Sequence, residues 1–209
     1  METSSLRWTA PPLSAHGVRM SGDIEILRVG RPGAIALAGE LARVYGLAAL
    51  SAGCDEPRTE AERFRTEQLP LHAGRDAFRC VVARRTGRTV GFGYGYTGQR
   101  GQWWSDWVAP RVPDVLADDW IGGHFELVEL IVNPAERGLG IGTALHDVLM
   151  MGLPHRHGLL SVCRDDQRAL RLYRARGWIL LCGRFDAAFD LYGRRLTPSS
   201  AEPPVTTPE

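Results

Sequence analysis

The sequence predicts a mixed α/β domain, and two observations carry that expectation. Between residues 24 and 195, short strand-like runs alternate with stretches of helical period. At the centre, Phe125 to Met151 reads as a strand, a kink at Pro134, a glycine-rich turn and a helix.

The elements follow in order. Residues 1–22 are rich in Ser, Pro and Gly, with only Trp8 as a bulky anchor, and are expected to be a disordered leader. Ile24-Glu25-Ile26-Leu27-Arg28-Val29 alternates as a first strand. From Pro32-Gly33 to Leu50, the residues Ile35, Leu37, Leu41, Val44, Tyr45, Leu47 and Ala48 fall largely on one helical face. A polar helix is expected over Arg58 to Gln68, stopped by Pro70. Phe78 to Arg84 and Thr89 to Tyr96 form a hairpin about Arg85-Thr86-Gly87-Arg88. In its second strand glycines alternate with aromatics. One face is then large and the other nearly bare, a sign of close approach by another backbone or a ligand.

Residues 98–123 are an insert holding Trp103, Trp104, Trp107 and Trp120. After the central strand come a helix from Gly142 to Leu153 and a strand at Leu159 to Cys163. A helix from Gln167 to Arg176, ended by Gly177, and strands at Trp178 to Cys182 and Ala188 to Tyr192 complete the series. Residues 198–209 are proline-rich and expected to be a disordered tail, which sets the domain at 23–197.

Composition excludes several partners. Lys+Arg 25 against Asp+Glu 24 leaves a formal charge of +1 over 209 residues, so nothing recommends nucleic acid or an anionic membrane. There is no apolar run long enough to span a bilayer and no secretory signal pattern. Cys54, Cys80, Cys163 and Cys182 are widely spaced without CxxC, as expected of reduced thiols in a cytoplasmic protein. His155-Arg156-His157 has no third ligand nearby, so no metal is expected.

The glycine turn carries the chemistry. Gly138, Gly140 and Gly142 remove every second side chain where a helix begins. Bare N–H groups, the helix dipole and Arg137 then form a site for a phosphate-bearing ligand. A Walker-type loop is excluded, because no Lys follows the glycines. A dinucleotide fingerprint is excluded too, since its third glycine would fall at Thr143 or Leu145. What remains, Arg-x-x-Gly-x-Gly after a strand ending Leu130-Ile131-Val132-Asn133-Pro134, resembles the pyrophosphate motif of the GNAT superfamily of N-acetyltransferases. A second patch, Asp166 to Trp178, is similar to that superfamily's Asn-x-x-Ala-x-x-x-Tyr-x-x-x-Gly-Phe pattern, with Asp166 in place of the asparagine and Trp178 in place of the phenylalanine.

The resemblance covers residues 24–195 in element order and is sharp over 126–145 and 166–178. It implies the acyl-CoA N-acyltransferase fold, a mostly antiparallel, splayed sheet flanked by helices. It implies acetyl-CoA as co-substrate, with the main chain of Leu130, Ile131 and Val132 along the pantetheine arm. The pyrophosphate would fall to Arg137, Gly138, Leu139, Gly140, Ile141, Gly142 and Thr143. Asp166 stands where the family's asparagine approaches the pantetheine, and Tyr173 where its tyrosine approaches the sulfur. No metal is implied.

Transfer of an acetyl group to an amine needs a neutral nucleophile, a stabilised oxyanion and a proton for the departing thiolate. Tyr173 suits the last task, and Glu126 or Glu129 the first. Alternation along an extended strand puts these two carboxylates on opposite faces unless a bulge intervenes. Glu126 ranks ahead, since it matches the position of the catalytic glutamate in protein-acetylating members. The expected acceptor is a primary amine of a small molecule or peptide, attacking directly in a ternary complex. Trp103, Trp104 and Trp107 are its nominated contacts. The same tryptophans could instead cover a homodimer interface or pack as a lid on their own domain. A non-catalytic acyl-CoA sensor and a glycine-rich interaction module are the alternatives.

Overall fold

A computed structural model describes residues 17–20 and 23–197; the expectations for the rest of the leader and for the tail lie outside the described residues. Eight strands form one sheet: β1 (Gly17–Arg19), β2 (Ile24–Val29), β3 (Arg79–Arg85), β4 (Arg88–Gly98), β5 (His124–Val132), β6 (His157–Cys163), β7 (Ile179–Cys182) and β8 (Phe189–Arg195). Their order is β1-β2-β3-β4-β5-β6-β8-β7, antiparallel throughout except for β5 and β6. Strand β1 lies inside the expected leader and extends the sheet beyond β2.

Helix α7 (Ile141–Met150) lies on one face of the sheet, with Ile141, Leu145 and Leu149 in the same core as Ile26, Val81 and Phe125. The glycines of β4 make this approach possible. A Cβ on Gly91 would stand 3.1 Å from Leu145 Cδ1, and one on Gly93 3.5 Å from Leu149 Cδ2. The bare strand face therefore receives a helix. At the far end of α7, Arg28 and Arg79 donate to the carbonyls of Val148, Met151 and Gly152. Two cations on orphan carbonyls hold the C-terminus of the helix to the sheet. Helix α8 (Gln167–Ala175) adds Leu170 and Tyr173 to this core.

The opposite face has two covers. Helices α1 (Arg31–Ala36), α2 (Ala38–Ser51), α3 (Pro57–Arg63) and α4 (Leu69–Ala73) bury Phe92 and Tyr94. The expected stop at Pro70 is corrected. The helix runs through it by way of a π-turn at Phe64–Gln68, in which Leu69 N–H bonds to Phe64 O. The wider turn accommodates a proline ring that would strike a carbonyl four residues back in a regular helix. The tryptophan insert folds into α5 (Trp103–Val108), a 3₁₀ turn and α6 (Asp114–Trp120), packed on Leu159 of β6 and Leu191 of β8.

Candidate active site

The site begins where β5 and β6 part. The two strands pair only at Phe125↔Gly158 and Glu126↔Leu159. Beyond that point β5 continues into the glycine turn, β6 leads towards α8, and a cleft of about 990 Å³ opens. Leu130, Ile131, Val132, Arg137, Gly138, Gly140, Ile141, Gly142, Thr143, Asp166 and Tyr173 line it. Leu139 does not, and stands exposed. Further walls were not anticipated, among them Tyr45, Ala48 and Ala49 from α2, Glu136 before the turn, and Arg168, Arg171 and Leu172 from α8.

Backbone conformation shapes the end of the cleft at the glycine turn. Gly138 and Gly140 have φ of +86° and +76°, a region that side-chain-bearing residues adopt at a cost. Gly140 is the N-cap of α7, with no side chain capping the helix. Ala144 N–H makes the bond to Gly140 O, so the amides of Ile141, Gly142 and Thr143 precede it without an intrahelical acceptor. Gly142 has ordinary room, 3.4 Å from a built Cβ to Leu172 and 3.7 Å to Val132. Arg137 is exposed beside the turn and reaches Ser51 Oγ at 3.5 Å. Free donors, three arginines and an alanine-faced wall fit a pyrophosphate-bearing ligand. Asp166 has a structural use as well. Its Oδ1 caps α8, accepting from Arg168 N at 3.1 Å and Ala169 N at 3.0 Å.

Tyr173 is buried at the base of the cleft, edge-on to His146 and Trp178. Burial, with Glu129 and Asp166 nearby, pushes its phenol well above the usual range, so it stays protonated. Trp178 replaces an expected phenylalanine, and its indole N–H donates to His146 Nε2 at 2.9 Å. That acceptance puts the imidazole proton on Nδ1, 2.9 Å from Asp147 Oδ1.

The two glutamates require a correction. Tyr94 pairs with Glu129 and Gly95 with Leu127, so Val128 is an extra residue in β5. This bulge breaks the alternation. Glu126 lies opposite Tyr96 and Glu129 opposite Tyr94, and cross-strand partners share a face. Both carboxylates therefore project to the same side, beneath α2 to α4. Tyr96 Oη donates to Glu126 Oε1 at 3.1 Å. Gln68 Nε2 donates to Glu129 Oε1 and to Tyr94 Oη, each at 3.1 Å. His72 Nδ1 lies 3.0 Å from Tyr94 Oη. Burial raises both carboxyls to about 7, against the opposing hydrogen bonds from Tyr96 and Gln68. Burial also lowers His72 to about 4, so the ring is neutral. Gln68, His72, Tyr94 and Tyr96 were missed in the sequence. The glycine–aromatic alternation of β4 was a trace of the two tyrosines alone.

The nominated tryptophans lie away from this cleft lining. Trp104 donates to Ser161 Oγ at 3.4 Å and packs against His124. Trp107 meets Phe185 edge-on and carries Arg111 over its ring, while Trp103 stacks on Trp107 and is 74% exposed. His155 Nε2 pairs with Thr97 Oγ1 at 2.8 Å, and His157 Nε2 donates to Trp120 O at 2.9 Å. No group of three or more His, Cys, Asp or Glu among the described residues could hold a metal ion. No helix among them is long and apolar enough to cross a membrane.

A splayed sheet whose cleft ends on bare helix amides defines an acyl-CoA acyltransferase architecture. The chain belongs to the acetyltransferase (GNAT) family, whose model matches residues 42–178. It is 36% identical over 97 residues to a GCN5-like protein acetyltransferase of Mycobacterium tuberculosis, a match covering 43% of this chain and 47% of that one. The chain thus spans about half the length of this curated relative. The PaiA N-acetyltransferase of Thermoplasma acidophilum, solved in complex with coenzyme A, superposes with a TM-score of 0.57 at 16% identity, over 83% of this chain and 99% of that one. A GNAT-family acetyltransferase of Streptococcus pneumoniae gives 0.56 at 15% identity, with the same coverage. At such identities these two likenesses concern the fold.

Proposed function

We propose that the chain is an acetyl-CoA-dependent N-acetyltransferase acting on a primary amine of a small molecule or peptide. The observation that carries this is the cleft between β5 and α8, which ends on the uncapped amides of α7 and has Tyr173 at its base. The bound coenzyme would supply an acetyl thioester. Arg137 and the amides of Ile141 to Thr143 would hold its pyrophosphate, and the main chain of Leu130 to Val132 its pantetheine arm. Arg168 and Arg171 add positive charge to the same cleft.

In a ternary complex, Glu126 or Glu129 takes a proton from the acceptor ammonium, directly or through water, leaving a neutral nucleophile. A main-chain amide of Leu130 to Val132 receives the developing oxyanion. Tyr173, kept protonated by burial, gives its proton to the departing sulfur, and the proton shed by the tetrahedral nitrogen as it becomes an amide restores the phenol. The likeness to a relative named as a protein acetyltransferase favours peptide amines as the first acceptors to test. Trp104, seated beside His124 on the face that carries Glu126, is the nominated tryptophan best placed for acceptor contact.

Thiol release from acetyl-CoA, screened over peptides, amino acids, aminoglycosides and simple amines, tests the activity. Acceptor-dependent release is expected. Binding of acetyl-CoA without release for any amine would leave a coenzyme-binding sensor.

A further inference from the structure

Two carboxylates on one face are redundant unless the fold treats them differently, and it does. Glu126 is 3% exposed and is held from β4 by Tyr96. Glu129 is only partly buried, and on β5 it directly precedes Leu130, Ile131 and Val132, which line the cleft. Its partner comes from the helical layer. Gln68 is the last residue of the π-turn, and its amide nitrogen spends one hydrogen on Glu129 and the other on Tyr94 Oη. Tyr94 Oη in turn lies 3.0 Å from Nδ1 of the neutral His72 on α4. With Nε2 turned to both groups, Gln68 donates to the carboxylate and to the phenol oxygen, the orientation that an ionised Glu129 favours. π-turns inside α-helices recur at functional sites, and here the turn brings one side chain to the sheet face.

We propose, resting on the acetyltransferase reading above, that Gln68 is the positioning residue of Glu129, locked by Tyr94 and His72, and that Glu129 is the carboxylate that meets the acceptor amine. Tyr96 serves Glu126 separately. A carboxamide cannot relay a proton, so the role of Gln68 is to aim Glu129 and favour its ionised form. The titratable groups around Glu129 are Tyr45 from α2, Tyr94 from β4, Tyr173 from α8 and, through Tyr94, His72 from α4. The tyrosines stay neutral near pH 7 because burial raises all three.

The test is Gln68→Met, which keeps length and removes the donor, with Tyr96→Phe as its counterpart. Glutamate side-chain carbons are labelled with ¹³C, assigned through Glu126→Gln and Glu129→Gln, and titrated in the full chain. In Gln68→Met the Glu129 titration moves up by about one pH unit, the scale of a lost hydrogen bond to a charge. The acidic limb of kcat/KM moves with it, and acetyl-CoA affinity holds. In Tyr96→Phe the Glu129 titration stays in place. An unmoved Glu129 titration in Gln68→Met would overturn the assignment, as would an acidic limb that follows Tyr96→Phe instead. A chain that binds acetyl-CoA but acetylates no amine defeats the activity reading, while the Glu129 titration still decides the part played by Gln68.

Discussion

Strand β5 builds two kinds of site along its length. Past Val132 it enters a turn whose free polar groups are backbone amides, exposed by glycines and fixed by φ. Between Glu126 and Glu129 the polar groups are side chains, turned to one face by a single extra residue and raised in pKa by burial. A backbone site depends on the absence of side chains and tolerates little added bulk. A side-chain site depends on proton affinity and loses its chemistry without losing its ligand. The two ends of β5 should therefore fail in different ways when altered.

The largest effect belongs to the carboxylate end. Glu129→Gln should lower kcat by roughly 100-fold, the lower range for a lost general base, and leave acetyl-CoA affinity nearly unchanged. Steady-state kinetics beside calorimetry separate the two; a loss confined to coenzyme affinity would blur the distinction between the ends. The converse is Gly140→Val. A β-branched residue at φ +76° is strained and adds bulk beside the free amides. Acetyl-CoA affinity should fall by about tenfold or more, with kcat at saturation far less affected.

A smaller change is expected from Tyr173→Phe, which keeps the packing against His146 and Trp178 and removes the hydroxyl. Turnover should drop by about tenfold at unchanged coenzyme affinity; an unaltered rate removes Tyr173 from the mechanism. The smallest effect is on stability. Glu126 titrates at about 7 when folded, above its ordinary 4.5, so the fold favours the protonated form. Its ionisation destabilises the native state progressively as pH rises from about 4.5 to 7, and the penalty is complete above that. Glu126→Gln should therefore be the more stable protein at pH 8, by about 1–3 kcal/mol. Its advantage should vanish near pH 4.5, as thermal melts across that range would report.

Legibility in the sequence divides along the same line. The glycine turn could be read because glycine states its conformational use directly, and nearly all its residues line one cleft. The place of Tyr173 in the cleft lining was legible through the spacing of the 166–178 patch. The common face of Glu126 and Glu129 was not, because the bulge at Val128 involves neither glycine nor proline and shows only in the pairing with β4. Gln68 and His72 were hidden by Pro70, which reads as a stop but is absorbed by a π-turn. The tryptophan insert was visible as a cluster, yet its packing on β6 and β8 depends on contacts far apart in the chain.

On the proposed function, the cleft between β5 and α8 binds acetyl-CoA through the turn at Arg137 to Thr143. Isothermal titration of acetyl-CoA into the protein, repeated with Gly140→Val, tests it most directly. Saturable one-to-one binding that weakens by about tenfold or more in the variant is the predicted result. No binding at about 1 mM, the bottom of the useful affinity scale, or equal binding by both proteins, would contradict it.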